Sequence, residues 1–307
     1  MTKPAILVFA YHDVGYECLD ALIQNDEYIA AVITHKNNPD EEIWFRSVAD
    51  LAEEYDIPVH TPESVNTEEW IEQIRSMEPD LILSFYYRNM IKEEILNIPR
   101  LGAFNMHGSL LPKYRGRVPI NWAIINGEQT TGVTLHHMVK RADAGDIVDQ
   151  EPVAIGPDDT ARDVFAKCVV AARLVLERRI DGLTAGTAPR RKQDESQATT
   201  FRGRTPDDGR IDWAQSAASV YNLIRAVTHP YPGAFTEIDN KRLFIWQAKP
   251  VSKGEGKPGT VLSSDPLRIS CSSGSLEISA LQWERRTEEE VSDRTHGLMV
   301  GEVLGSS

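Results

Sequence analysis

Apolar residues run unbroken over positions 5–10, Ala-Ile-Leu-Val-Phe-Ala, with no polar position to give a strand there a wet face. Such a strand is buried on both sides, as strands of parallel sheets are. Similar runs recur at 29–34 and 81–85, with a short one at 58–60. Between them, over 17–24, 43–54 and 68–76, apolar positions fall at helical spacing. Strand alternating with helix predicts βαβ units and a mainly parallel, Rossmann-like α/β sheet. The alternation weakens after residue 104. There the pattern predicts a strand ending near 107, a helix over 119–126, β-branched strands over 131–139 and 147–155, and a long amphipathic helix over 160–179.

From 184 to 200 the chain turns polar and reads as a linker. Beyond it the pattern gives one helix, 217–227, then five short strands at 234–238, 242–246, 259–262, 267–271 and 276–280. Short strands after a single helix predict a small β-barrel. The expected organisation is a catalytic domain over 1–188, a linker over 189–203 and a small β domain over 204–307. No internal repeat is visible.

Candidate chemistry centres on Phe104-Asn105-Met106-His107-Gly108-Ser109-Leu110-Leu111-Pro112-Lys113-Tyr114-Arg115-Gly116. In a strand, residues i and i+2 share a face, so Asn105 and His107 project together from a strand end. Open α/β sheets build their sites at such ends. An amide that donates to an oxyanion, beside an imidazole that moves a proton, suits acyl transfer. A second cluster, over 131–148, carries Asp143 in a loop after a β-branched strand. A carboxylate reaching His107 would fix its tautomer and favour its protonated form. Spacing alone leaves a plainer alternative open, with Asn105 satisfying a turn, His107 packing under a loop and Asp143 capping a turn.

Composition narrows the classes. The 307 residues carry 33 Lys and Arg against 46 Asp and Glu, a net charge of -13, which argues against a nucleic-acid ligand. Three scattered cysteines, Cys18, Cys168 and Cys271, suggest neither a disulfide framework nor a zinc site, and no metal is expected. The first strand runs into Tyr11-His12-Asp13-Val14-Gly15 rather than a glycine-rich turn, so NAD and ATP are poorly supported. The start has no signal-peptide pattern and no run approaches a membrane span, so the expectation is a cytoplasmic protein without membrane insertion.

The pairing of Asn105-x-His107-Gly-Ser-Leu-Leu-Pro with Thr131-Gly132-Val133-Thr134 and Asp143-x-Gly145 resembles the formyltransferases that use 10-formyltetrahydrofolate. Within them, Phe-Ala-Tyr-His-Asp at 9–13, Ser-Phe-Tyr-Tyr-Arg at 84–88, Leu-Pro-Lys-Tyr-Arg-Gly-Arg at 111–117 and Met-Val-Lys-Arg-Ala-Asp-Ala-Gly at 138–145 resemble one branch. So do Arg-Thr-Pro-Asp-Asp at 204–208 and Pro-Gly-Ala-Phe at 232–235. That branch formylates UDP-4-amino-4-deoxy-L-arabinose, a step of lipid A modification and polymyxin resistance. The resemblance implies a Rossmann-like domain followed by an OB-like barrel. It gives His107 the role of general acid/base, Asn105 that of oxyanion donor and Asp143 that of partner to His107. It implies a folate site formed by Asn89, Met90, Ile91, Arg117, Val139, Lys140, Arg141, Ala142 and Asp143. It also implies fusion or association with a UDP-glucuronate decarboxylase domain, and allows a homo-oligomer.

Other residues carry weaker readings. Tyr11 and His12, at the first strand's end, and Tyr87 are candidate substrate contacts, although Tyr87 could equally cover the sheet. Arg115 and Arg117 suit a carboxylate or a diphosphate. Arg204 could reach a nucleotide, with a structural polar hairpin as its competitor. Lys140 and Arg141 read as surface charge, and His136 and His137 as packing. Another nucleotide-linked amino sugar is the nearest alternative substrate. Methionyl-tRNA is a weaker one, because residues 201–307 hold 13 Lys and Arg against 14 Asp and Glu. A non-catalytic folate or nucleotide-sugar binder is the rival of a different class.

Overall fold

A computed structural model describes residues 3–39, 42–251, 256–290 and 297–305. The chain lays down β1 (Ile6–Ala10), α1 (His12–Gln24), β2 (Ile29–Ile33), α2 (Val48–Glu54), β3 (Val59–His60), α3 (Glu68–Ser76), β4 (Leu81–Phe85), α4 (Glu93–Leu96) and β5 (Ala103–His107). There follow β6 (Arg115–Gly116), α5 (Pro119–Ile125), β7 (Thr130–His137), β8 (Ile147–Ala154), α6 (Ala161–Thr184) and β9 (Thr200–Phe201). The last stretch holds α7 (Ala217–Val227), β10 (Ala234–Ile238), β11 (Lys241–Val251), β12 (Val261–Ser264), β13 (Leu267–Ser270), β14 (Ser275–Trp283) and β15 (Glu289–Glu290).

Seven strands form one sheet in the order β3-β2-β1-β4-β5-β7-β8. The five from β3 to β5 are parallel; β7 runs antiparallel to β5, and β8 antiparallel to β7. All five residues of β1 are fully buried, as its unbroken apolar run requires. Leu7 and Phe9 join Ile33, Ile74, Ile82 and Ile95 in a core cluster. Each such side chain contributes about 1.5–3 kcal/mol through burial, which anchors the strands whose ends carry the chemistry. Strand order reverses between β1 and β4, and such a reversal opens a crevice at the strands' carboxyl ends.

The second sheet is antiparallel, in the order β10-β11-β14-β13-β12, with β15 also paired to β14. The 302–305 segment bonds Thr260 and Val261 at one end strand and Glu237 at the other. The chain divides into two compact units that interleave in sequence: residues 1–119, 130–154 and 165–202, and residues 120–129, 155–164 and 203–307.

Two elements differ from the sequence reading in instructive ways. The helix expected over 43–54 begins only at Val48, capped by the Ser47 hydroxyl, which accepts from Asp50 N–H at 3.1 Å. Trp44 and Phe45 pack as loop aromatics on His12 instead of supplying a helix face. The polar stretch expected as a linker is bound into the first unit: Arg191 exchanges backbone bonds with Ile147, and β9 pairs with β6.

Candidate active site

β5 lies between β4 and β7, with Asn105 opposite His136 and His107 opposite Thr134. The His107 ring is nearly buried. Its Nε2 donates to the Tyr114 carbonyl at 2.8 Å, so that nitrogen carries hydrogen, because a carbonyl only accepts. Its Nδ1 lies 3.5 Å from Asp143 Oδ1. Both ring nitrogens therefore face acceptors, which fixes the orientation of the ring.

Asp143 adopts φ +55°, a left-handed conformation that Asp tolerates better than most residues. Its Oδ2 accepts from Gly116 N–H at 2.8 Å, and its Oδ1 lies 3.6 Å from His136 Nε2. Burial alone would push this carboxyl up. The charge of His107 and the Gly116 N–H outweigh burial and hold it well below the ordinary carboxylate range. Gly145 closes the loop against β7: a Cβ there would sit 1.8 Å from the His137 carbonyl oxygen.

Asn105 Nδ2 lies 3.2 Å from His136 Nε2, and His136 Nδ1 lies 2.8 Å from the His137 carbonyl. The carbonyl takes the Nδ1 hydrogen, which leaves Nε2 to accept from Asn105. The Asn105 amide is thereby oriented, with a second N–H to donate elsewhere. His136, read from sequence as packing, belongs to the site. Its position opposite Asn105 follows from an antiparallel register that no local pattern reveals.

Arg115 was expected at a substrate anion, but its guanidinium is occupied within the chain. It is 2% exposed, with Nε and one NH₂ at 3.2 and 2.7 Å from Gln193 Oε1, and 2.6 Å to Glu195 Oε1. Glu195 also pairs with Arg141 at 3.1 Å. Tyr114, Arg115 and Gly116 thus form one strip that receives the His107 hydrogen bond, anchors in the former linker and donates to Asp143.

The remaining candidates fall into several places. Tyr11 is buried at the end of β1, with its hydroxyl 3.2 Å from Asn37 Oδ1 and Arg88 over its ring at 4.7 Å. His12 stacks on Phe45 at 3.9 Å, and Tyr87 stacks on His35 at 4.2 Å. Burial pushes the Tyr87 phenol up. Asn89 and Met90 are exposed after β4, whereas the Ile91 side chain belongs to the core cluster. Val139, Lys140, Arg141 and Ala142 are exposed, Lys140 lying 3.8 Å from Glu93. Arg117 is exposed, its backbone N–H donating to Phe201 O at 3.2 Å. Arg204 lies in the other unit, 4.8 Å over the Trp122 ring and donating to the Asp208 carbonyl at 2.6 Å.

Two side chains that sequence reading passed over hold the segment after β4. His35 Nε2 accepts from Arg88 N–H at 3.0 Å. Burial, then the Arg88 charge, pulls His35 down to about 4, so it keeps that lone pair at neutral pH. Asn66 donates to the Met90 carbonyl at 2.7 Å and accepts from Lys92 N–H at 2.9 Å. Among the described residues, no three His, Cys, Asp or Glu side chains are placed to hold a metal ion, and no helix is long and apolar enough to cross a membrane.

An α/β sheet that ends one strand in an amide and an imidazole, with a carboxylate brought up beside them, is the fold and site of a group-transfer enzyme. The chain belongs to the formyl transferase family, whose model matches residues 2–180, and residues 204–298 match the formyl transferase C-terminal domain. Solved structures share the fold. An N-formyltransferase from Helicobacter canadensis, determined with folinic acid and dTDP-3-aminofucose, is 23% identical over 90% of this chain and 98% of its own, with a TM-score of 0.70. WlaRD, a sugar 3N-formyltransferase determined with dTDP and 5-N-formyl-THF, is 22% identical over 94% and 100%, with a TM-score of 0.68. HypX from Aquifex aeolicus, in complex with tetrahydrofolic acid, is 18% identical with a TM-score of 0.65. This chain is covered over 97% of its length in that match but spans only 48% of HypX.

Proposed function

We propose that the protein transfers a formyl group from 10-formyltetrahydrofolate to the amine of a nucleotide-linked amino sugar, and in particular to the 4-amine of UDP-4-amino-4-deoxy-L-arabinose. The observation that carries the reading is the junction of Asn105, His107 and Asp143 at the end of β5, in a chain of the formyl transferase family. The arabinose sugar rests on the sequence resemblance, and the folate on that resemblance and on the ligands of the two sugar N-formyltransferases of this fold.

In this reading the sugar amine attacks the formyl carbon and a C–N bond forms. Charge collects on the formyl oxygen, to which Asn105 donates. The bond from that carbon to folate N10 then breaks. The proton lost by the attacking nitrogen is taken up by N10, and His107 carries it. Asp143 supplies the counter-charge. The exposed Met90 and Val139 offer apolar surface for the folate ring, and Arg117 a cation for its glutamyl carboxylate. The catalytic and folate-binding part is assigned to the unit of residues 1–119, 130–154 and 165–202, and the β domain to the unit that contains 203–307. The same resemblance supports a place in lipid A modification and polymyxin resistance, beside a UDP-glucuronate decarboxylase domain, and allows a homo-oligomer.

The test is incubation of the purified protein with 10-formyltetrahydrofolate and a panel of UDP- and dTDP-linked amino sugars plus methionyl-tRNA, read as N-formyl product by mass spectrometry. Formylated UDP-aminoarabinose is expected, with His107→Ala abolishing it. Product from a different amine would reassign the acceptor. Unchanged turnover in His107→Ala would sink the mechanism, and folate binding without any product would favour a non-catalytic binder.

A further inference from the structure

The Gln193 carboxamide makes all four hydrogen bonds open to an amide of its size. Its Nε2 donates to the Asp143 carbonyl at 2.8 Å and to the Gly145 carbonyl at 2.7 Å. Its Oε1 accepts from Arg115 Nε at 3.2 Å and from an Arg115 NH₂ at 2.7 Å. The two carbonyls flank the turn that presents the Asp143 carboxylate to His107. The arginine flanks the two backbone groups that hold His107 and Asp143, the Tyr114 carbonyl and the Gly116 N–H.

We infer that Gln193 is a positioning residue of the active site: its carboxamide fixes the backbone of the Asp143 turn and thereby the reach of the Asp143 carboxylate to His107. No other side chain serves both ends equally. Glutamate lacks the two donors, lysine lacks the acceptor, and asparagine is one methylene short. The turn has little slack of its own. Asp143 sits at φ +55°, and Gly145 has no room for a Cβ against the His137 carbonyl. Releasing the two carbonyls from Gln193 frees the turn to relax. A carboxylate 3.5 Å from an imidazole loses its grip with a shift of about 1 Å, a displacement that can cost ~100-fold in rate.

The catalytic part of this inference rests on the formyl-transfer reading; the geometric part does not, and the experiment separates them. Gln193→Ala and Gln193→Glu are compared with wild type in two measurements. Gln193→Glu keeps an acceptor for Arg115 but sets a carboxylate against two carbonyls, so it retains the clasp while losing the positioning. The first measurement is carbon-detected NMR titration of the Asp143 carboxyl, which needs no substrate. Wild type stays ionised well below the ordinary carboxylate range, whereas both variants titrate closer to the ordinary ~3.9. The second is steady-state kinetics, in which kcat falls roughly 10- to 100-fold while KM for both substrates stays within about twofold. A merely structural role would lower the melting temperature and leave the Asp143 titration and kcat per folded molecule unchanged; that result overturns the inference. A shifted titration in a protein whose wild type formylates no amine would retain the positioning role and reject the formyl-transfer reading.

Discussion

His107 has a carbonyl on one ring nitrogen and a carboxylate on the other, and the two acceptors do different work. Tyr114 fixes which nitrogen carries hydrogen; Asp143 adds charge. Asp143→Asn keeps the shape and removes the charge, so kcat should fall about 10- to 100-fold, the equivalent of ~1.5–3 kcal/mol for a hydrogen bond to a charged group. The same carboxyl bears on stability. Its folded pKa is depressed, so its stabilisation is fully present above its unfolded value of ~3.9 and is lost as pH falls through the folded value. Urea unfolding should therefore show the gap between wild type and Asp143→Asn narrowing as pH drops below about 4. Gly145→Ala should destabilise by about 1–3 kcal/mol in the same measurement, because its Cβ meets the His137 carbonyl. Asn105 and His107 were legible in sequence because a strand's two-residue period places them together. Asp143 was legible only as a carboxylate in a loop. His136 and Gln193 were not legible, since each acts from a distant part of the chain across a pairing that local spacing does not encode.

Among elements, those with a strong apolar period were readable: α3 and α7 run over 68–76 and 217–227, where the spacing put them. The polar stretch after α6 misled for a physical reason. Its partners are a buried guanidinium and backbone carbonyls, so what binds it to the first unit is polar, and composition then looks like that of a solvated linker. β6 and β9, two residues each, are too short for any periodicity; Gly116 lets them meet, at φ +97° with room for no Cβ against Phe201 O. The segment after β4 is governed similarly by Asn66 and His35. Asn66→Ala removes two hydrogen bonds from its backbone, each worth about 1 kcal/mol. KM for 10-formyltetrahydrofolate should rise roughly 5- to 30-fold, with kcat and the KM of the sugar unchanged, as initial-rate kinetics would show.

At the scale of the molecule, sequence segments and compact units do not coincide. Residues 120–129 and 155–164 belong with 203–307: Asn121 donates to the Ala226 carbonyl at 2.7 Å, and Arg225 to those of Gly156 and Asp159 at 3.2 and 2.7 Å. A break after residue 202 would strip both inserted segments of these partners. The fragment 1–202 should bind a hydrophobic dye and elute as a broad, self-associating species in size-exclusion chromatography, whereas the full chain should do neither. The clasp on the catalytic strip has a further consequence, in the time it takes the chain to assemble. Tyr114 N–H bonds the Thr199 hydroxyl 85 positions away, and Arg115 reaches Gln193 across 78. Contacts of that separation form late, after local structure. The sheet can therefore be complete while His107 and Asp143 are still unset, and in a growing chain they stay so until residues near 200 close over the strip.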